Sequence, residues 1–219
     1  MSTDRTAAIA EAMGARVTRR PWPGYGAQKN FGVTQATSDW ILNIDADEVV
    51  SADLAAEIQQ ELAAPRFDAY RLFVPTYFMG RPLRHYGRAP RDPGHIRLFR
   101  RDRARFDERP VHEAVRVDGS VGRLQAPVLH YCYPTVKTYW HKIHYYAPLE
   151  AEARLQTGAP RGGRLFRSIG KFGWMMIWRR GILDGPAAWI WIGGQAYQEW
   201  LTTGEIARRR RRGAQHVAA

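Results

Sequence analysis

An apolar segment that ends in three carboxylates is the feature that most constrains the fold of this chain. Residues 40–44 have the length and composition of a buried strand, and Asp45, Asp47 and Glu48 follow directly. Ligands of α/β proteins bind beyond the carboxyl ends of the strands, so acids at such an end indicate a site. Two acids at positions i and i+2 can share one Mg²⁺ ion, which takes its other oxygens from water and phosphate. The alternative is an acidic helix N-terminus, where negative charge is favourable, and this segment alone does not decide between the two.

Helices and strands alternate along the first part of the chain. The spacing of apolar, capping and helix-breaking residues predicts helices over 6–13, 27–36, 52–64 and from residue 135 onward. Strands are predicted over 15–19, 40–44, 69–78, 95–100, 114–117 and 128–131. The initial order helix–strand–helix–strand is typical of a parallel sheet. We therefore expect an α/β fold with a mixed, mainly parallel sheet flanked by helices.

The size, charge and cysteine content of the chain limit the type of domain, the cellular compartment and the kind of partner that it can have. Its 219 residues, 45% of them hydrophobic, suffice for an α/β domain with a substantial core. The single cysteine, Cys132, excludes an internal disulfide framework, suits a reducing cytoplasm and is expected to be a small buried residue. The net charge of +12 predicts an anionic partner, which is either nucleic acid or an anionic membrane face.

The C-terminal part of the chain is both basic and rich in tryptophan. From residue 161 onward there are eleven Lys or Arg residues against three acids, and five of the eight Trp residues. Amphipathic helices are predicted over 166–178 and 186–201; they are too polar to span a bilayer but suited to its interface. Arg208–Arg212 is expected to be disordered on its own. We predict a first domain over 1–150 and a basic, Trp-rich membrane-surface module with an Arg-rich tail over 151–219.

Several motifs occur in the order in which a known enzyme family has them. These are Ser2-Thr3-Asp4-Arg5-Thr6, Gly24-Tyr25-Gly26-Ala27-Gln28-Lys29-Asn30, the segment 40–48, Arg97-Leu98-Phe99-Arg100, Val111-His112-Glu113 and His130-Tyr131. Over residues 2–150 the chain resembles family 2 glycosyltransferases of the GT-A type, and within them the bacterial lipopolysaccharide core β-1,4-glucosyltransferases. The Asp-Ala-Asp-Glu tetrapeptide alone is a weak signal, and its position among the other motifs makes it fairly specific.

The resemblance departs from the family pattern at the N-terminus. In the family, Ser-Thr-Asp follows a first β-α-β unit, whose strand ends carry residues of the nucleotide-base pocket. This sequence begins at the residue before Ser2. The resemblance therefore predicts a GT-A-like domain that lacks the first β-α-β unit.

The resemblance implies inverting transfer of a hexose from a nucleotide diphosphate sugar to a hydroxyl of a glycolipid or saccharide acceptor. A divalent cation, Mg²⁺ or Mn²⁺, is expected on Asp47, with Asp45 nearby as a second ligand or a ribose contact. Lys29 and Arg97 are expected to contact the donor together with Asp45. Glu113 is expected to be the base that deprotonates the acceptor, because an inverting transfer needs one base opposite the leaving group.

Each of these residues has an ordinary structural alternative. Lys29 and Arg97 could be solvated side chains, and Glu113 could belong to a surface salt bridge. Glu48 is expected to support the neighbouring acids or to cap a helix, and Asn30 to bond loop backbone. His130 is expected to be a satisfied core histidine, and His141 and His144 to lie on a helix surface.

The expected location is the cytoplasm, peripheral on the inner face of the plasma (inner) membrane. The expected partners are the nucleotide sugar donor, the acceptor and an anionic membrane surface, with no specific nucleic acid. A basic nucleic-acid- or membrane-binding module is an alternative, since phosphate contacts favour positive charge. A catalytically inactive glycosyltransferase fragment is the other alternative.

Overall fold

A computed structural model describes residues 4–85, 94–107, 113–158 and 162–217 of the chain. The α-helices in these ranges are α1 Thr6–Ala12, α2 Tyr25–Gln35, α3 Ala52–Ala63, α4 Val136–Gln156, α5 Arg164–Gly173 and α6 Gly185–Val217. The strands are β1 Trp40–Leu42, β2 Glu48–Val50, β3 Ala69–Leu72, β4 Thr76–Phe78, β5 Arg81–Pro82, β6 His95–Arg100, β7 Ala104–Phe106, β8 Val115–Val117, β9 Val121–Arg123 and β10 Val128–Cys132.

The described strands form mixed sheets, as expected for the α/β class. One sheet has the order β1-β6-β3-β9, a second has the order β2-β10-β4-β5, and β7 pairs with β8. The pairs β3–β9 and β4–β10 are parallel, and the other described ladders are antiparallel. The mixed character is confirmed, but the expectation of a mainly parallel sheet is wrong for the described strands. β1 and β6 are adjacent and antiparallel, with Leu42 of β1 opposite Leu98 of β6.

Two of the predicted strands differ from the structure. Residues 15–19 belong to no ladder among the described residues, because local β-propensity forms a strand only where a neighbouring strand pairs with it. The predicted strand 69–78 is divided into β3 and β4, which lie in different sheets. Pro75 stands in the gap and has no N–H to donate to a ladder, so the pairing is interrupted there.

The acidic segment lies between two strands of different sheets. β1 ends at Leu42, and Glu48 is the first residue of β2, which pairs with β10. The next helix, α3, starts only at Ala52 and is capped by Ser51, whose hydroxyl accepts the N–H of Leu54 at 3.2 Å. The helix N-terminus alternative for Asp47 and Glu48 is therefore wrong.

One buried core fixes the two larger sheets and α3 relative to each other. Its buried side chains are Leu54, Tyr70, Leu72, Leu98, Leu124 and Val128. Leu54 comes from α3, and Val128 begins β10, so side chains of both sheets pack together. This packing holds the acidic segment between them.

A second core joins the strands to the C-terminal helices. Tyr139 of α4 is buried; its hydroxyl donates to the carbonyl of Trp191 in α6 at 2.6 Å, and the two rings stack 5.1 Å apart. Phe78 of β4 lies at the edge of both rings. The predicted domain division at residue 150 falls inside α4, which packs against α6, and it stays a prediction.

The last helix, α6, is longer than the predicted helix over 186–201, whereas the predicted helix over 166–178 is divided between α5 and a following turn. After α5 the chain makes a π-helical turn over Trp174–Trp178 and a 3-10 turn over Gly181–Asp184. The predicted disorder of Arg208–Arg212 is wrong, because α6 continues through this run and Glu205 pairs with Arg208 and Arg209 on the helix surface. None of the helices in the described ranges is long and apolar enough to cross a bilayer.

Candidate active site

Four charged side chains from separate parts of the chain meet at the end of β1. Lys29 comes from the middle of α2, and Asp45 comes from the segment between β1 and β2. Arg97 comes from β6, and Glu113 stands just before β8. The antiparallel register of β1 and β6 explains part of this meeting, because the N–H of Asn43 donates to the carbonyl of Arg97 at 2.7 Å. The predicted donor contacts and the predicted base therefore form one cluster.

Lys29 is the centre of this cluster. Its Nζ lies 3.1 Å from Oδ1 of Asp45 and 2.8 Å from Oε1 of Glu113. The ammonium also lies 5.5 Å from the centre of the Phe106 ring. Lys29 and Glu113 are both largely shielded from solvent, so neither is a solvated surface residue. One cation thus joins the acid of the predicted donor site to the predicted base.

Arg97 holds the acidic segment from the opposite side. Both Nη atoms lie 3.2 Å from Oδ2 of Asp45, and Nη2 also bonds Oε1 of Glu48. The other carboxylate oxygen of Glu48 accepts the backbone N–H of Asp45 at 2.9 Å. The Glu48 side chain is only 2% exposed. Glu48 therefore supports the neighbouring acids, as the sequence indicated, and it does so from a strand instead of a helix.

The two cations control the ionisation of Asp45. Burial by itself raises the pKa of this carboxyl, but the charges and hydrogen bonds of Arg97 and Lys29 outweigh burial and hold the pKa below its ordinary value. Asp45 is thus a carboxylate at neutral pH, with one oxygen on Lys29 and the other on Arg97. These contacts favour a role for Asp45 in arranging the cations.

Asp47 points to a different partner. Its Oδ2 lies 3.3 Å from Nε2 of His130, and the carboxylate is 45% exposed. The hydrogen bond from His130 lowers the pKa of Asp47 against the opposing effect of burial. His130 lies on β10 opposite Glu48 of β2, so the strand register brings it to the acids. The expectation of a core histidine is wrong; in the linear sequence, only the His130-Tyr131 motif of the resemblance pointed to the site.

The residues present fit a divalent cation that has few protein ligands and takes most of its oxygens from water and a bound phosphate. Among the described residues, no group of three or more His, Cys, Asp and Glu side chains could hold a metal ion by itself. Mg²⁺ is usually held by one or two carboxylates, together with water and phosphate oxygens. The half-exposed, ionised Asp47 supplies one such carboxylate. Asp45 belongs to the same acidic segment, but both of its carboxylate oxygens contact protein cations, Lys29 and Arg97.

Three buried polar atoms, on Arg97 and on neighbours of Lys29 and Arg97 in the chain or the ladder, have no hydrogen-bond partner among the described residues. They are Oε1 of Gln28, Nδ2 of Asn43 and Nε of Arg97. Gln28 precedes Lys29 on α2, and Asn43 lies opposite Arg97. Buried polar atoms are normally paired, so unpaired ones beside a charged cluster indicate a place for a polar ligand.

Other residues singled out in the sequence have structural roles or lie elsewhere. Asn30 donates to the carbonyl of Phe106 at 2.9 Å and accepts its N–H at 2.8 Å, which confirms that it bonds backbone. His141 and His144 are exposed on α4, as predicted. Cys132 is buried, as predicted. His112 lies outside the described residues.

The chain is similar to known proteins. The family model of glycosyl transferase family 2 matches residues 1–132. The lipopolysaccharide core biosynthesis glycosyltransferase LpsC of Rhizobium meliloti (strain 1021) is 29% identical over 221 residues, covering 95% of this chain and 80% of that protein. An uncharacterized glycosyltransferase of Rickettsia bellii (strain RML369-C) is 51% identical over 69 residues, covering 32% of this chain. Another, from Rickettsia typhi (strain ATCC VR-144 / Wilmington), is 31% identical over 170 residues, covering 72% of this chain and 57% of that protein.

The matches differ in how much of each relative they cover. The part aligned with the Rickettsia bellii protein spans only 24% of that protein's length. The family match, in contrast, covers more than half of this chain and includes Lys29, the Asp-Ala-Asp-Glu segment and Glu113. The resemblance drawn from the motifs is confirmed: the chain belongs to glycosyl transferase family 2.

Proposed function

We propose that this chain is an inverting glycosyltransferase that moves a hexose from a nucleotide diphosphate sugar to a hydroxyl of a lipid-linked or lipopolysaccharide-core acceptor. The observation that carries the proposal is the contact of Lys29 with both Asp45 and Glu113. This contact supports the proposal, because the proposed base and an acid of the proposed donor site lie on the same ammonium group. Such proximity is what a direct transfer between two bound substrates requires.

The donor diphosphate would lie at the end of β1, facing the acids and the two cations. Asp47 would hold the divalent cation together with phosphate oxygens of the donor, with Asp45 nearby. When bound, the cation would act as a Lewis acid that stabilises the negative charge of the leaving diphosphate. Lys29 and Arg97 carry positive charge to the same place and are oriented by Asp45 and Glu48. Fixed charges of this kind stabilise a developing charge without reorganisation.

Glu113 would act on the acceptor. As the acceptor oxygen bonds to the anomeric carbon, the hydroxyl proton passes to a carboxylate oxygen of Glu113. The bond between the anomeric carbon and the diphosphate oxygen breaks at the same time, and its electron pair leaves with the nucleotide diphosphate. Attack opposite the leaving group inverts the configuration. Lys29 holds Oε1 of Glu113, and this fixes the direction of the base.

The acceptor class and the location rest on similarity and charge. The Rhizobium meliloti relative is named for lipopolysaccharide core biosynthesis. The net charge of +12 would attract the chain to an anionic lipid surface. We infer a peripheral position on the cytoplasmic face of the inner membrane, without a specific nucleic acid partner.

Transfer and donor binding can be tested separately. The full chain is incubated with Mg²⁺ or Mn²⁺, a panel of uridine and guanosine diphosphate sugars and lipopolysaccharide-core oligosaccharides, and products are identified by mass spectrometry. We expect Glu113→Gln to lower turnover by about 10²–10⁴-fold while donor binding by calorimetry persists. Asp47→Asn should weaken metal-dependent donor binding.

Asp53→Asn is the matched control, since Asp53 is an exposed acid in the first turn of α3. Its transfer rate should equal that of the wild type. Unchanged turnover in both Glu113→Gln and Asp47→Asn would refute the site assignment.

A further inference from the structure

Helix α5 buries its polar face and exposes its apolar face. Arg167, Ser168 and Lys171 point toward the protein, with Ser168 buried and the other two half-buried. The outward side carries the apolar face of α5, which consists of Leu165, Phe166, Ile169 and Phe172, all exposed. A helix on a water-soluble surface has the reverse arrangement. The outward side of α5 is therefore suited to an apolar environment.

A buried acid holds α5 in this orientation. The Glu199 side chain of α6 is only 4% exposed, and its Oε1 accepts from Nε of Arg167 at 2.8 Å and from Nη1 of Arg154 at 2.9 Å. Nζ of Lys171 lies 3.4 Å from Oε1 of Gln195, also on α6. Turning α5 over would remove Arg167 from this buried carboxylate and leave it with Arg154 of α4 as its remaining cation, which is unfavourable for a buried charge network. The outward apolar face is thus a fixed feature of the fold.

The exposed apolar surface continues beyond α5. In the π-helical turn, where the N–H of Arg179 donates to the carbonyl of Trp174 at 3.0 Å, Ile177 and Trp178 are exposed. Phe166 and Trp178 are 81% and 79% exposed. Beside α5, a cleft of about 300 Å³ lies between it and α6, lined by Ser168, Ile169, Phe172, Ala196, Tyr197 and Trp200. This shallow, open cleft presents apolar side chains of both helices to the outside.

The charges around this surface select its partner. Arg164 stacks on Trp200 at 4.2 Å at one end of α5, and Arg179 and Arg180 follow the π-helical turn at the other. From residue 161 onward the chain carries a net charge of +8. Apolar and Trp side chains bordered by Arg and Lys are characteristic of helices that lie in the interface of anionic membranes. The charge complementarity is with acidic lipid headgroups.

We propose that the apolar face of α5 and the side chains of Ile177 and Trp178 enter the lipid of an anionic membrane. Glu199 would keep this apolar face turned toward the lipid by binding the polar side of α5. This lipid contact rests on the membrane association in the proposed function and would be its contact surface. The surrounding Arg residues would lie at the headgroups. Catalytic turnover is not needed for this contact.

Flotation with lipid vesicles tests the proposal. The full chain is mixed with vesicles of phosphatidylcholine alone or with added phosphatidylglycerol, in the absence of donor and acceptor. The wild type should float with the anionic vesicles and lose binding at high salt. Phe166→Ser and Trp178→Ser should each lower the lipid partition coefficient by about tenfold, as expected for the loss of one large apolar side chain from lipid, while Trp178→Phe should retain binding.

Trp22→Ser is the matched control, because Trp22 is also exposed but lies outside α5 and the turn. It should float like the wild type, and all variants should keep the melting temperature of the wild type. Flotation of the Phe166→Ser/Trp178→Ser double variant at the wild-type level would overturn the proposal. So would a wild type that never floats but forms a dimer dissociated by these substitutions. Neither result depends on glycosyl transfer, so failure here is distinct from failure of the proposed function.

Discussion

The ammonium group of Lys29 lies 2.8 Å from Oε1 of Glu113, and the same nitrogen lies 3.1 Å from Oδ1 of Asp45. Two carboxylates from distant parts of the chain thus share one cation. Without that cation, two like charges would face each other in a partly buried site, which is unfavourable. In the proposed function, a bound diphosphate would bring further negative charge to the same nitrogen, and Lys29 would then link donor binding to the position of the proposed base.

Replacing Lys29 by Met should therefore impair both donor binding and base placement. We expect kcat/KM for transfer to fall by about 10²-fold, the usual effect of removing one group that stabilises developing charge. The unfolding free energy should fall by about 1–3 kcal/mol, because Glu113 and Asp45 lose a shared partner. Steady-state transfer assays and urea denaturation measure the two effects. Lys29→Arg should recover part of the activity, and Lys137→Met, on the exposed surface of α4, should change neither quantity.

The sequence identified the members of this cluster but not their contacts. Asp45 and Glu113 were predicted for separate roles, and they are 68 positions apart in the sequence. The antiparallel register that sets Leu42 opposite Leu98 brings Asp45 to Arg97. Glu113 comes to Lys29 by another route, because β8 pairs with β7 and Asn30 of α2 bonds Phe106 of β7. No local pattern encodes either arrangement. The pairing of His130 with Asp47 has the same origin, because it follows from β10 lying beside β2.

The Glu199 cluster predicts a pH-dependent stability. Burial raises the pKa of Glu199, but hydrogen bonds and charges from Arg154 and Arg167 outweigh burial and lower it below its ordinary 4.5. A carboxyl whose pKa is lower in the folded state stabilises the fold above its unfolded pKa and loses this effect as the pH falls through the folded pKa. Glu199→Gln should thus lower the unfolding free energy at pH 7 by about 3–5 kcal/mol. In thermal or urea denaturation, the difference from wild type should shrink below pH 4.5.

Glu152→Gln is the control for this effect, because Glu152 is half-exposed and pairs with Arg209 at 3.5 Å. Exposed pairs contribute about 0–1 kcal/mol, so its stability should stay near that of the wild type. A Glu199→Gln protein as stable as the wild type at pH 7 would show that the cluster does not hold α5.

The fold was predictable where local signals agree and not where packing decides. Ser51 and the apolar spacing after it predict α3, and the structure has both the cap and the helix. The division of residues 69–78 at Pro75 follows from pairing with two different sheets, which the strand pattern does not encode. The amphipathic pattern predicts α5, but it cannot show that the polar side is buried. That orientation depends on Glu199, which lies in another helix.

Cys132 should be chemically inert in the folded chain. Burial raises the pKa of its thiol to about 12, with the Asp47 carboxylate acting in the same direction. The reactive species is the thiolate, and at pH 8 its fraction would be about 10³-fold below that of a thiol with the ordinary pKa of 9.0. Ellman's reagent should release almost no chromophore from the native protein and one equivalent per chain in urea, since the chain has one cysteine. Rapid reaction of the native protein with the reagent would contradict the burial of the Cys132 side chain at the end of β10.

Two adjacent glycines of α6 should respond to alanine in opposite directions. A Cβ on Gly194 would overlap the ring of Tyr139, which is buried between α4 and α6, whereas a Cβ on Gly193 would meet no atom within 4 Å. Gly194→Ala should therefore destabilise the protein by about 1–3 kcal/mol, as overpacking of a core does. Gly193→Ala should stabilise it by up to about 1 kcal/mol, because alanine favours the helix interior. Thermal unfolding measures both, at about 2–4 °C per kcal/mol for a chain of this size. Equal melting temperatures for the two variants would show that the packing of α4 on α6 through Tyr139 is not as described.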